Sequence, residues 1–333
     1  MTHKRSVRRI GVPVTATALV LAGCRGWQSA TDPQGPQALQ LDALIWLFVI
    51  VAGIIWALVI LVLVAALWRR RRLTEPHEHR TAWFVGGAMA ASVLVIVGLT
   101  VASYVTTRHI SPEPTDPLII RLKGYQWWWS ATYVNARTAE SFTTANELHV
   151  PVGRSVRVEL EAEDVIHSFW VPNLAGKQDL IPGRRNSLVF TVDRPGTYRG
   201  QCAEFCGLQH AHMALLVVAE SEDDFQRWRR AQLADAKAPA TPEQSAGRDV
   251  FVAKACAGCH TVRGTSAAGN LGPDLTHVGG RQYIAAGVLP TTRGSLAAWV
   301  ADPQTIKPGN SMPLVPLEPR ELNVLSAWLI GLQ

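Results

Sequence analysis

The chain has 333 residues, enough for two ordinary domains and more at roughly 100–200 residues each. Apolar residues make up 48% and charged residues only 17%, against about 25% charged in an ordinary soluble protein, an excess that points to membrane segments. The net charge of +6 sits largely in Lys4–Arg9 and Arg69–Arg72, where membrane targeting accounts for it, so it makes no case for a nucleic-acid partner.

Residues 1–23 have the layout of a secretory signal. Lys4, Arg5, Arg8 and Arg9 precede an apolar stretch, Ile10–Ala22, too short to cross a bilayer of about 30 Å. The stretch ends in Leu21-Ala22-Gly23-Cys24, which resembles a bacterial lipobox with Cys24 as the lipidated residue; a signal with an incidental cysteine is the alternative. Trp27–Gln40 reads as a polar linker. Ala43–Trp68 and Thr81–Val105 then run without a charge, each long enough for a membrane helix at about 1.5 Å per residue. Trp46, Trp68, Trp83 and Tyr104 lie near the ends, where amphipathic rings favour the interface. Arg69–Arg72 and Arg80 mark the connecting loop as cytoplasmic, which puts the mature N-terminus and everything beyond residue 106 outside the cytoplasm.

The Pro-rich Ser111–Pro117 ends the second helix. Six strands are predicted next: Leu118–Leu122, Glu147–Val150, Ser155–Ala162, Ser187–Val192, Gly196–Gly200 and Met213–Ala219. Short strands at this spacing form a sandwich or small barrel. Ser221–Asp235 is helix-compatible, Ala236–Ser245 reads as a linker, and Gly247–Ala255, Leu296–Ala301 and Pro319–Leu332 as helices. The expected layout is a multi-domain membrane protein: signal 1–23, linker and two-helix hairpin 24–110, all-β domain 111–235, linker 236–245, all-α domain 246–333. A flexible linker of this length would raise the local concentration of the last domain to the order of millimolar.

Five cysteines, Cys24, Cys202, Cys206, Cys256 and Cys259, argue by their odd count against a simple disulfide framework. Cys202, Cys206, His210 and Met213 follow at spacings of four, four and three in a loop between two strands. Thiolate, thioether and imidazole together select copper over hard cations. Two thiolates can bridge two metals, and each metal then needs its own imidazole. His210 supplies one and His167 is the candidate for the other, while His212 alternates with His210 and faces away. Zinc and a Cys202–Cys206 disulfide are the competing assignments. Further on, Cys256-Ala-Gly-Cys259-His260 fits the C-x-x-C-H haem attachment signature, with Met312 as the sixth ligand and His277 as the alternative.

The pattern C-x-E-x-C-x₃-H-x₂-M with an upstream His167-Ser-Phe resembles the copper A site of cytochrome c oxidase subunit II, over roughly residues 25–222. The resemblance implies a cupredoxin-like sandwich in which Cys202 and Cys206 bridge the coppers and His167 and His210 bind one each. Met213 and the Glu204 carbonyl would be weak ligands, and the Glu204 carboxylate would meet magnesium at the subunit I interface. Gly124-Tyr-Gln-Trp127-Trp128-Trp129 is similar to the family's aromatic segment, which assigns electron intake to Trp127. Family members often carry a Glu just before the second helix; Glu78 and His79 are out of register and Arg80 stands near that place, so no part in proton uptake is implied. Residues 246–333 resemble a class I cytochrome c, in which the Pro273 carbonyl would orient His260. The implied function is the electron-accepting subunit of a haem–copper oxidase, an oxidoreductase and translocase of the bacterial inner membrane with both redox domains and both termini on the periplasmic side. The donor would be a soluble or membrane cytochrome c or a cytochrome bc complex, and the partners subunit I, the other oxidase subunits and membrane lipid. A copper A–containing nitric oxide reductase is the alternative; covalent haem argues against a copper-delivery protein.

Overall fold

The computed structural model describes residues 25–68, 78–110, 114–134 and 140–333. The expected signal, Cys24 and Arg69–Arg72 lie outside the described residues.

Helices α1 (Pro36–Trp68) and α2 (Glu78–His109) pack on each other. Leu61, Val62 and Leu63 are 64%, 70% and 52% exposed in succession, so α1 has no polar face to give to water. An all-apolar surface of this kind suits a lipid environment. The top of α1 is seated on the next domain: the Gln37 side chain accepts from Thr191 N at 3.1 Å, and a Cβ on Gly35 would stand 2.0 Å from the Thr191 carbonyl.

The β-domain is a sandwich of two five-stranded sheets. One runs β3 (Phe142–Ala145), β2 (Trp128–Tyr133), β1 (Leu118–Tyr125), β5 (Ser155–Ala162), β8 (Asn186–Thr191). The other runs β4 (Glu147–Pro151), β10 (Ala214–Glu220), β9 (Gly196–Cys202), β6 (His167–Trp170), β7 (Gln178–Leu180). Alternation drives the burial: in β5, Val156, Val158, Leu160 and Ala162 face inward while Arg157, Glu159 and Glu161 face out. Strands β2, β3, β6 and β7 go beyond the six expected from sequence. Helix α3 (Glu222–Leu233), capped by Ser221, buries Phe225 and lays Trp228 against Tyr133 and Phe142.

The C-terminal domain holds α4 (Pro242–Ala253), the two-residue strands β11 (Tyr283–Ile284) and β12 (Leu289–Pro290), α5 (Arg293–Ala301), α6 (Pro303–Ile306) and α7 (Pro319–Gly331). Helices α4 and α7 cross at Gly247, where a Cβ would come within 2.1 Å of the Val324 carbonyl. Phe251 meets Trp328 edge-on beside this crossing.

The segment between the domains is not a loose tether. Ala236 N bonds the Arg263 carbonyl, α4 already starts at Pro242, and the domains meet directly. Glu147 Oε2 accepts from Gln282 N at 2.8 Å, and Ala214 N donates to the Ala286 carbonyl at 3.0 Å. A fixed contact thus replaces the expected concentration effect.

Candidate metal and haem centres

The two thiols of the first centre come from one chain segment. Cys202 ends β9 and Cys206 follows in the turn toward β10, with the sulfurs 3.7 Å apart and unbonded. Pairing of β6 with β9 sets Phe169 opposite Cys202 and so carries His167, 35 positions upstream, to the same place. His167 Nδ1 lies 3.8 Å from Cys202 Sγ, and His210 Nδ1 lies 3.7 Å from Cys206 Sγ. Met213 Sδ is 3.9 Å from Cys206 Sγ, and the Glu204 carbonyl is 3.2 Å from Cys202 Sγ. His167, Cys202, Cys206 and Met213 are buried. His212 turns away, exposed and bonded to the Gln209 side chain.

The electrostatics invite a cation. The hydrogen bond between the two thiols pulls Cys202 well below the usual thiol range, and the same bond, with burial, raises Cys206. Burial works against a charged His167, but hydrogen bonds to Cys202 and to Asp164 Oδ1 (2.8 Å from Nε2) outweigh it and raise its pKa. Protons held between soft donors are what a metal displaces on binding. The set divides into two similar halves around the shared thiols, each with one imidazole and one weaker ligand atom, which fits two coppers and leaves no disulfide. The Glu204 carboxylate lies outside this group, 43% exposed and 3.3 Å from Lys177 Nζ.

The second centre is a cavity of about 450 Å³. Cys259, His260, Arg281 and Met312 line it, with apolar walls from Leu275, Ile284, Leu296 and Val300. His260 Nδ1 is 2.8 Å from the Pro273 carbonyl. A carbonyl only accepts, so Nδ1 carries the proton and Nε2 keeps its lone pair. Burial lowers the His260 pKa and keeps the ring neutral, as an iron ligand must be. A Cβ on Gly272 would stand 2.6 Å from His260 Cε1, so the ring seat requires glycine. His277 is not among the lining residues; its Nε2 meets the Ala234 carbonyl at 3.1 Å. Cys256 and Cys259 are unpaired thiols. Arg281 Nε is sealed from solvent without an acceptor among the described residues. The Cys259 thiol, a neutral imidazole, a thioether and an orphaned cationic donor at one cavity fit a haem with its carboxylates, while Cys256, three positions before Cys259, is not among the lining residues.

Trp127 belongs to both places. Its Nε1 donates to the Cys206 carbonyl at 2.9 Å, beside Gln126 Nε2 at 2.8 Å, and its ring lines the cavity. Trp128, stacked on Tyr125, lines the cavity too, whereas Trp129 is a core residue. Sequence reasoning missed Gln126, Lys307 and Arg281. Gln126 lies inside the aromatic segment without a role of its own, and neither Lys307 nor Arg281 belongs to a local motif.

Residues 118–220 match the family described as cytochrome C oxidase subunit II, periplasmic domain, and residues 244–333 match cytochrome c. A cytochrome c oxidase subunit 2 from Alkalihalophilus pseudofirmus is 34% identical over 97% of this chain and 96% of its own length. The chain belongs to the cytochrome c oxidase subunit II family. Another subunit 2, from Bacillus subtilis, is 32% identical over 66% of this chain and 63% of its own. The crystal structure of the periplasmic domain of subunit II of cytochrome oxidase from Bradyrhizobium japonicum aligns at a TM-score of 0.34 with 32% identity, covering 36% of this chain and 95% of that one. Membership makes this a subunit of an oxidase complex, which implies a subunit I, and the fused cytochrome c domain supports a role in taking in electrons. The two apolar helices fit a membrane-anchored subunit II.

Proposed function

We propose that this subunit takes electrons from a cytochrome c or a cytochrome bc complex and relays them through covalent haem c and binuclear copper A to subunit I, where oxygen is reduced to water. The single observation that carries the reading is Trp127, bonded to the Cys206 carbonyl on one side and lining the cavity of Cys259, His260 and Met312 on the other. When bound, the haem and the copper pair supply the reversible one-electron chemistry that the side chains lack. Cys256 and Cys259 would hold the haem covalently, His260 through Nε2 and Met312 would bind its iron, and Arg281 would offer its free donor to a haem carboxylate. His/Met ligation suits electron transfer and raises the potential. Cys202 and Cys206 would bridge the coppers, His167 and His210 bind one each, and Met213 and the Glu204 carbonyl complete the set. The exposed Glu204 carboxylate is the group this reading gives to magnesium at the subunit I face. Burial of Cys202, Cys206 and Met213 keeps water from the first centre and limits reorganisation there.

The reading also puts both redox domains and both termini on the periplasmic side of the bacterial inner membrane, with Cys24 lipidated after signal removal. The relay is tested by steady-state oxidation of a soluble donor by the assembled oxidase. Met312→Ala is expected to block or slow the first transfer, and Met213→Ala to perturb the copper step while the haem still reduces. Unchanged turnover in both variants sinks the relay.

A further inference from the structure

We infer that Lys307 is a positioning residue that clamps the methionine loop of the C-terminal domain onto the copper loop, so that electrons cross a closed, pre-docked interface. This rests on the relay proposed above. Lys307 is 3% exposed, a burial that lysine almost never shows unless its charge is paired. Its Nζ donates to two main-chain carbonyls, Trp127 at 2.7 Å in the β-domain and Ala285 at 3.2 Å in its own domain. An apolar side chain would fill the same space without desolvating a charge. The buried amino group therefore keeps both of these hydrogen bonds only while the two domains are together.

The neighbouring residues repeat the contact. The Pro308 carbonyl accepts from Gln209 Nε2 at 2.9 Å, and Gln209 immediately precedes the candidate ligand His210. Gly309, at φ +81°, lets the loop pass so close that a Cβ there would stand 3.2 Å from Leu208 Cδ1 and 3.7 Å from the Trp127 ring. Three successive residues thus touch the copper side, and Met312 follows three positions later. The Ala285 acceptor sits in a strained segment: Ala285 and Ala286 both hold left-handed backbone, at φ 53° and 58°. Ala286 in turn accepts from Ala214 N, next to Met213. Strain of this kind persists only where the surroundings enforce it, and here both carbonyls serve the interface.

The test is Lys307→Met in the assembled oxidase. Photochemical reduction of the haem is followed by haem-to-copper equilibration, read optically in plain buffer and in viscous buffer. The parent should equilibrate at a rate independent of viscosity. The variant should be at least tenfold slower and slow further with viscosity, because the domain must now find its partner before each transfer. Its haem spectrum and copper electron paramagnetic resonance signal should be unchanged. Parental rates without viscosity dependence in Lys307→Met, or viscosity dependence in the parent itself, overturn the clamp. Trp127→Phe run alongside separates the two ideas: if it alone is slow, only the clamp fails; if both variants keep the parental rate, the relay through Trp127 fails as well. Should Lys307→Met not retain haem, Gln209→Met cuts the adjacent bond and is judged by the same two readings.

Discussion

Gly124→Ala should weaken copper binding without touching the haem. Gly124 lies on β1 opposite Trp129, and a Cβ there would stand 2.8 Å from His167 Cδ2, 3.1 Å from Cγ and 3.4 Å from Cβ. Carbon atoms settle at about 3.5–4.0 Å, so the imidazole has to retreat by about 0.7 Å or β1 has to give. The ring has little freedom: it is fully buried, its Nε2 is held by Asp164, and Trp129 packs beside it. Overpacking of this sort costs about 1–3 kcal/mol. At 1.4 kcal/mol per decade that is roughly a 5- to 150-fold loss of affinity if it falls on the metal-bound state. Changes in groups that orient metal ligands independently give about 10- to 100-fold. Competition titration with a copper chelator measures it, with the hyperfine pattern of the copper signal as the structural readout. Gly294→Ala, whose new methyl would meet only Thr292 Oγ1 at 3.9 Å, is the control. An affinity within about threefold of the parent and an unaltered hyperfine pattern would refute the idea that Gly124 fixes His167.

Gly247→Ala drives a methyl into the Val324 carbonyl at the α4–α7 crossing, and should destabilise the C-terminal domain by about 3 kcal/mol, lowering its thermal midpoint by more than about 10 °C in calorimetry. His149, stacked on Trp228, has Glu147 at Nε2 and Glu220 at Nδ1; burial opposes its charge, but those two hydrogen bonds win and raise its pKa above 6.5. A raised histidine stabilises the fold fully below its unfolded value and loses that contribution as pH climbs through the folded value. Urea midpoints should therefore fall over that window in the parent, and His149→Gln should flatten the fall; an equal fall in both would assign it elsewhere.

The membrane helices were legible because an uncharged run of this length has few other uses, although charge counting began α1 at Ala43 rather than Pro36. The strands with strict alternation, such as Ser155–Ala162, were legible to the residue. Strands β6 and β7 were not, because their pairing is set by partners distant in sequence: His167–Trp170 is buried at its first three positions and shows no alternation. The candidate donors Cys202, Cys206, His210 and Met213 stood out because their side-chain chemistry is rare and their spacing local, whereas His167 is brought to them by strand pairing. The sequence favoured Met312 over His277 as the candidate sixth ligand; in the structure Met312 lines the cavity, whereas His277 does not and meets the Ala234 carbonyl instead. Lys307 and Arg281 were invisible for a different reason: Lys307 matters through the Trp127 carbonyl that faces it across the domain boundary, and Arg281 through the sealed cavity around its Nε.

The wall that the β-domain lends to the haem cavity bears on how such chains can be cut and rejoined. Residues 246–333 carry both thiols, the histidine and the methionine, and look like a portable cassette. Yet Gln126, Trp127, Trp128 and Asn146 complete the cavity from outside that span, and Lys307 finds one of its two acceptors there. A graft of the cassette alone onto another scaffold would move the ligands and leave behind part of their enclosure. The transplantable unit is the C-terminal domain together with the Gln126–Trp128 turn, Asn146 and the Leu208-Gln209 step of the copper loop, a module that is contiguous in space and broken into four pieces in the gene.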